Sequence, residues 1–495
     1  MAYATFAVAV SAAACHASSH PALSADVASP PLSAQAALAR DIDAILSQPA
    51  LERGYWGVMV KSLKNDETLF AVNRRKLMMP ASKMKIVTLA AAAQTLGWSY
   101  AYETKVFALG AATNGVLDGD LVVVGSGDPS IGTADGMADR LFASWADRLK
   151  GAGIRTVAGR IIGDDRRFDG EEVGFGWSWD DLQDDYAAGV SALQFNENMA
   201  RVTVRPGPAV GDYAAVSVSP AHSGLVVRST ARTIAADADA GVHVRRVTGN
   251  PTLELTGMIA LASEPRVLSV SVDNPTLFFV DTMRAALIAN GIDVHGAAVD
   301  IKRLPNPPVP SAAPLAIHTS PPLSTLAMRL MKMSQNQYAE TFLRTMGGES
   351  GLSNAESGRR FALRTLEAWG VQPSDLIQRD GSGLSRYDYV TPDALVTILA
   401  HVNRDDTLRG PFELSLPIAG RDGSLANRMK GTPAEGNARA KTGSMSNVRG
   451  LSGYVTTADG EPLVFAVIAN NFDAAPSVIT TTADAIVVRL AQFSR

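Results

Sequence analysis

Ser82 and Lys85 stand three positions apart in the run SKMK, a spacing that puts both side chains on one face of a helix. A serine hydroxyl is too weak an acid to attack an amide unaided, and a lysine amine held neutral can take its proton. Pro80 and Ala81 bring the chain to Ser82 where an apolar helix begins. Free backbone N–H groups and the positive end of the helix dipole favour developing negative charge there. For Lys85 to be largely neutral near pH 7, its pKa must fall by about 3 units from roughly 10.4, a perturbation of about 4 kcal/mol. By itself the pattern is weak, since S-x-x-K recurs by chance and a capping serine followed by a solvated lysine has the same letters.

Two further groups add chemistry. Ser334 and Asn336 sit two apart in MSQNQ; such positions do not share a helix face, so both enter one cleft only if the chain turns between two helices. A solvated junction with a capping serine is the competing reading. Lys441, Thr442 and Gly443 lie in ARAKTGSMSN, which reads as a strand followed by a return strand and a third apolar strand. An exposed edge lysine that protects a sheet from aggregation accounts for Lys441 equally well. Gly443 would let a ligand approach the backbone closely, and Thr442 would donate from the same edge. A second cation about 4 Å from Lys85 would repel it by roughly 4 kcal/mol at an effective dielectric of 20. Desolvation pushes the same way, and coupled sites leave the assignment of each proton open.

Elements able to hold these groups follow from periodicity. An amphipathic helix in QAALARDIDAILSQ precedes two strand-like pieces, YWGVMVKSL and ETLFAVN, joined by a turn at KND. The Ala-rich helix after Pro80 reads as buried, and LSTLAMRLMKMSQNQYAETFLRTMGG reads as helix interrupted at MSQNQ. Between them RVTVRP, YAAVSVSP, TLELTGMIA and RVLSVSVD alternate as short strands, with helices near 137–151 and 277–290. GSGDP follows no dinucleotide-binding pattern and is read as a structural turn. LPNPPVPSAAP, around residue 305, opposes both helix interior and central strand and marks a boundary.

A chain of 495 residues exceeds what one core usually organises, so two or three domains are expected, and 46% apolar residues supply their cores. The formal charge of −4 argues against long basic surfaces for nucleic acid. Cys15 is the single cysteine, so the body forms no internal disulfide and no cysteine zinc site. The 7 histidines show no H-E-x-x-H arrangement. No metal or cofactor is expected. Residues 1–25 resemble a secretory signal without the usual positive start, an Ala-rich tail or a lipid anchor at AAAC being the alternatives. The apolar run there falls short of the roughly 20 residues that span a bilayer.

The ordered set SKMK, SQN and KTG resembles the penicillin-binding protein and serine beta-lactamase superfamily. GDLVVVGSGDP (119–129), RDGSGLSRYDYVTP (379–392) and LPIAGRDGSLANRMKG (416–431) resemble, more narrowly, the low-molecular-mass class C penicillin-binding proteins, a D-Ala-D-Ala carboxypeptidase/endopeptidase family. The resemblance covers almost everything after the export-like segment. It implies an α/β fold: a split beta-lactamase/transpeptidase-like domain with an antiparallel sheet flanked by helices, formed by 26–97 and 305–495. A two-domain strand-rich insertion would occupy 98–304.

It further implies that Ser82 is the nucleophile and Lys85 its base, with Ser334 relaying a proton to the leaving amine. Asn336 would bind the peptide backbone and orient Lys85, while Lys441 and Thr442 meet the substrate's terminal carboxylate. The N–H groups of Ser82 and Ser444 would form the oxyanion hole. Asp164, in IIGDDRRF, and Arg386, in DGSGLSR, are carried over for the free ionic end of a diaminopimelate side chain, where an acidic turn and a structural arginine are the competing reading. Ser446 marks a variable position after the KTG strand. The implied partners are cell-wall stem peptides ending in D-Ala-D-Ala, beta-lactams as covalent inhibitors, and the cell wall or membrane surface, in the periplasm or another extracytoplasmic compartment. A beta-lactamase or esterase of the same superfamily, or a noncatalytic wall-binding protein, is the alternative.

Overall fold

A computed structural model describes residues 33–247, 250–348 and 354–495; the export-like segment 1–25 and Cys15 lie outside the described residues. A five-stranded antiparallel sheet joins the two ends of the chain. Its order is Arg439–Met445, Val448–Thr456, Pro462–Asn470, Tyr55–Ser62 and Thr68–Val72. The last two form the expected hairpin, with Val58 opposite Val72, and Val58 also faces Val467 of the neighbouring strand.

Because side chains alternate across a strand, one strand supplies two cores. Leu463, Phe465 and Val467 pack with the helices Ala34–Leu46 and Pro476–Ala491. Val464, Ala466 and Ile468 face the helices Met84–Leu96, Leu323–Lys332, Asn336–Gly347 and Pro392–Arg404. The helix after Ser82 has every residue from Met84 to Ala93 buried. Its run Ala90–Ala93 favours helix and lets neighbours approach closely, and the apolar residues before it leave no polar face, so it packs on all sides. Gly97, at φ 79, closes it, a conformation open to glycine without strain.

From Glu103 onward the chain builds other layers. A seven-stranded sheet centred on the hairpin Glu103–Thr113 and Val116–Gly125 is covered by the helices Met137–Gly151 and Pro275–Ala289, close to where the periodicity put them. A three-stranded and a four-stranded sheet then share a small core of Val202, Val204, Leu253, Leu255 and Val270. The Pro-rich stretch around residue 305 is crossed within the seven-stranded sheet rather than at its end. The strand Ala316–Thr319 lies beyond that stretch and pairs with Glu103–Thr113, Ala316 opposite Val106. Prolines interrupt pairing locally, but a later strand of four residues still completes the sheet edge.

Candidate active site

Ser82 sits in a single 3-10 turn, Ala81–Lys83, that runs into the helix Met84–Leu96. Ala81 is held at φ 48, in the left-handed region, where a Cβ is unfavourable. Lys85, one turn on, is fully buried. Its Nζ lies 2.8 Å from Ser82 Oγ, 2.5 Å from Asn336 Oδ1 and 2.8 Å from the Ser382 carbonyl. An ammonium has three hydrogens for those acceptors. A neutral amine has two and a lone pair, so in that state the Ser82 hydroxyl donates to the amine. Burial pushes the Lys85 pKa down to about 7, against the opposing pull of the Asp380, Glu340 and Asp388 carboxylates.

Ser334 occupies the break between the helices Leu323–Lys332 and Asn336–Gly347, at φ 60. That left-handed residue reverses the facing of the chain, so Ser334 and Asn336 both reach the cleft although only two positions apart. Lys441 Nζ donates to Ser334 Oγ at 2.8 Å and to the Thr442 carbonyl at 3.0 Å. The side chain of Lys441 is fully buried, which removes the reading of it as a solvated edge lysine: the strand is at the sheet edge, but the turn bearing Ser82 covers its inner face. Burial, with the Lys85 charge adding to it, holds the Lys441 pKa well below the usual lysine range. Desolvation is the first cause of the lowering at both amines.

Gly443 has a packing role of its own. A Cβ there would lie 2.6 Å from the Pro80 carbonyl and 3.3 Å from the Lys83 side chain, so the close backbone approach it allows is that of the nucleophile turn. Thr442 Oγ1 donates to Ser424 Oγ at 2.8 Å, or accepts from it. Ser82, Ser334, Asn336, Ser444, Ser446 and Arg386 line one cleft of about 440 Å³.

Asp164 does not line this cleft. It ends the buried strand Ile161–Asp164, and its carboxylate is bound by the Arg166 guanidinium at 2.9 and 2.6 Å. Its neighbour Asp165 is likewise committed, to Lys302 at 2.7 Å and Thr276 at 2.8 Å. The acidic side chain that shares the cleft with Arg386 is Asp181, which accepts from the Tyr186 hydroxyl at 2.8 Å. The signal was the dense acidic and aromatic run WSWDDLQDDY, whose place beside the cleft no periodicity reveals.

A second group escaped the sequence reading, although DGSGLSR was in view. Glu340, buried on the helix Asn336–Gly347, accepts from the N–H groups of Gly381 (2.9 Å) and Ser382 (2.8 Å). Asp380 accepts from Gly383 (2.6 Å), Ser385 (2.7 Å) and the Trp177 indole (2.8 Å). These bonds shape the loop whose Ser382 carbonyl meets Lys85. Gly383 is indispensable in it, since a Cβ there would lie 1.9 Å from the Ala81 carbonyl. Burial and the Asp380 charge push the Glu340 pKa up to about 7. Burial, with Asp380 beside it, raises Asp388 well above the carboxylate range. Among the described residues no group of three or more His, Cys, Asp or Glu side chains is arranged to hold a metal ion.

Comparison with known proteins agrees with this geometry. The profile of the D-Ala-D-Ala carboxypeptidase 3 (S13) family matches residues 38–493. The chain is 35% identical over 469 residues to a D-alanyl-D-alanine carboxypeptidase of an Actinomadura species, covering 92% of this chain and 85% of that one. It is 27% identical over 434 residues to the D-alanyl-D-alanine carboxypeptidase DacB of Haemophilus influenzae, covering 86% and 88% of the two chains. The crystal structure of penicillin binding protein 4 from Haemophilus influenzae superimposes with a TM-score of 0.80 at 26% identity, over 92% of this chain and all of that one. The chain belongs to the D-Ala-D-Ala carboxypeptidase 3 (S13) family.

Proposed function

We propose that this member of the S13 family is a serine D-Ala-D-Ala carboxypeptidase that works through an acyl-enzyme on Ser82. One observation carries the assignment of roles: a buried lysine amine lies 2.8 Å from Ser82 Oγ, and a second lies 2.8 Å from Ser334 Oγ. Neutral Lys85 takes the Ser82 proton as Oγ bonds to the carbonyl carbon of the penultimate D-Ala, and the carbonyl electrons move onto oxygen. The N–H groups of Ser82 and Ser444 are our candidates for holding that oxyanion. When the tetrahedral centre collapses, the C–N bond breaks and the departing D-Ala amine takes the Ser334 proton, which Lys441 replaces; the proton that Lys85 took from Ser82 then restores Lys441 through solvent, leaving Lys85 neutral. Water next attacks the ester carbonyl and gives its proton to Lys85, which passes it to Ser82 Oγ as the C–O bond breaks and the shortened peptide leaves.

Thr442 and the charge of Lys441 suit the terminal carboxylate, and Asn336 is placed to pair with the peptide backbone while it orients Lys85. Gly443 keeps that strand close to the nucleophile turn. Arg386 with Asp181, in place of the expected Asp164, offers opposite charges to a side chain that ends in both an ammonium and a carboxylate. The same steps cleave a crosslink, because the scissile amide again follows a D-Ala carbonyl, so D,D-endopeptidase activity belongs to the proposal. A beta-lactam presents a strained amide to the same serine; a structure of the Haemophilus influenzae protein carries one in complex. We place the enzyme in the cell envelope outside the cytoplasm, where such peptides lie, in contact with the cell wall. Among the described residues no helix is long and apolar enough to cross a membrane.

The test is covalent labelling. After incubation with penicillin, peptide mass spectrometry should find the adduct on Ser82 and none in Ser82→Ala; an adduct elsewhere, or one that survives the substitution, overturns the assignment.

A further inference from the structure

Besides Trp177 and Asp181, a short segment of the strand-rich insertion reaches the turn that carries Ser334 and Asn336. Gln335, Asn336 and Gln337 are consecutive, and each is bound by a residue from between Tyr186 and Glu197. Gln335 Nε2 donates to Glu197 Oε2 at 2.5 Å, Asn336 Nδ2 donates to the Tyr186 carbonyl at 2.7 Å, and Gln337 Nε2 donates to Gln194 Oε1 at 2.5 Å. Gln194 also donates to Thr341 on the same helix, at 3.0 Å. Glu197 completes the set by accepting from Arg329 Nε at 2.5 Å, on the helix before the turn. Its carboxylate thus ties together the two helices that flank Ser334.

The backbone that presents Glu197 is unusual. Asn196, Glu197 and Asn198 all have positive φ, at 52, 55 and 57. Asparagine tolerates that region, but glutamate gains nothing from it. Three such residues in a row persist only where surrounding bonds over-determine them. Here Asn196 Nδ2 donates to the Met199 carbonyl at 2.8 Å, and Asn198 Oδ1 accepts from the Phe195 N–H at 3.2 Å. Bonds within the insertion hold the asparagines, including one from Thr133 Oγ1 to Asn196 Oδ1 at 2.8 Å, whereas the glutamate side chain bonds Arg329 and Gln335, across 132 and 138 residues of sequence.

We infer that the left-handed turn at Asn196–Asn198 is a strut that sets the Ser334–Asn336 turn, with Glu197 a positioning residue for the reaction. The consequence runs through Asn336, whose Oδ1 meets Lys85 Nζ, and through Ser334, whose Oγ meets Lys441. If the turn loosens, both amines lose an acceptor and water reaches them. Lys85 faces Asp380, Glu340, Asp388 and Lys441, while Glu197 faces Arg329, Tyr338 and Asp185. Easing the burial of Lys85 moves its titration upward, because burial is what lowers it.

This inference rests on acylation at Ser82, and the experiment separates the two. Glu197→Gly removes the carboxylate while placing glycine where φ is positive, so the fold should be retained; Glu197→Gln keeps an acceptor for Arg329. Acylation of the full chain by a fluorescent penicillin is followed against pH, with thermal unfolding in parallel. The wild type must label first, and its failure to do so counts against the proposed function alone. With a labelling wild type, Glu197→Gly should acylate about 10- to 100-fold more slowly, its acid limb displaced to higher pH and its melting temperature unchanged or raised. Glu197→Gln should recover most of the rate. A rate and pH profile within twofold of wild type overturn the strut, and so does a slower rate with an undisplaced acid limb and a matching loss of melting temperature.

Discussion

The two serine–lysine pairs of the cleft have the same separation and opposite origins. Ser82 and Lys85 meet across one helical turn, at 2.8 Å. Ser334 and Lys441 meet at the same distance across 107 residues of sequence. The first pair needs only that SKMK be helical. The second needs a left-handed residue between two helices, a sheet edge closed by the nucleophile turn, and an inserted segment holding the turn in place. A local pair can be made rigid by its own helix, whereas a tertiary pair is only as well placed as the layers that bring it together.

The largest effect that sharpens this comparison comes from removing each lysine in turn. Lys85→Ala deletes the general base and should lower acylation about 10²- to 10⁴-fold for every acyl donor. Lys441→Ala should cost a D-Ala-D-Ala peptide about 10- to 100-fold in kcat/KM, the worth of a charge-assisted hydrogen bond, and cost a matched neutral ester less. Equal losses for peptide and ester, with unchanged pH profiles, would remove the carboxylate-binding role of Lys441. In the wild type, acylation should rise with pH through about 7, because Lys85 acts only when neutral and its pKa is held there by burial.

An intermediate effect separates the two aspartates. Asp181→Asn should lower kcat/KM about tenfold for a peptide whose side chain ends in an ammonium, the scale of one charged hydrogen bond, and leave penicillin acylation unchanged. Asp164→Asn should leave both reactions within twofold. It should lower stability by about 1 kcal/mol or less, since Arg166 is partly solvated. Peptide kinetics that respond to Asp164 and ignore Asp181 would restore the earlier placement of the acidic partner.

The smallest effect is one of stability. Lys83 lies two positions before Lys85 and is equally buried, yet it points under the sheet, where its Nζ donates to the Val467 carbonyl at 3.2 Å. Burial holds its pKa well below the usual lysine range. Between its folded pKa and about 10.4, the unfolded chain binds one more proton than the folded one, so wild-type stability rises with pH across that window. Lys83→Met should therefore melt a few degrees higher at pH 7, with the difference shrinking toward pH 10. A difference that is flat in pH would mean that Lys83 stays charged in the folded protein.

Sequence alone determined the first pair, because three residues of helix bring Ser82 and Lys85 together whatever the rest of the chain does. It also pointed to a turn at MSQNQ, since Ser334 and Asn336 serve one cleft only if the helix breaks, and to the antiparallel strands around Lys441, through alternation. Family likeness then joined the three groups into one cleft. Left to the tertiary structure were the groups whose meaning depends on what covers them. Lys441 on a sheet edge reads as solvated until the nucleophile turn closes over it, and Gly443 reads as room for a ligand until Pro80 occupies that room. Asp164 and Asp181 are alike as letters; the first is buried and turned onto its near neighbour Arg166, and the second is brought to the cleft. Burial decides these cases, and burial comes from layers whose strands are separated by hundreds of residues. Spacing along the chain encodes a neighbour on the same helical turn, but it does not encode which surface arrives from elsewhere to exclude water.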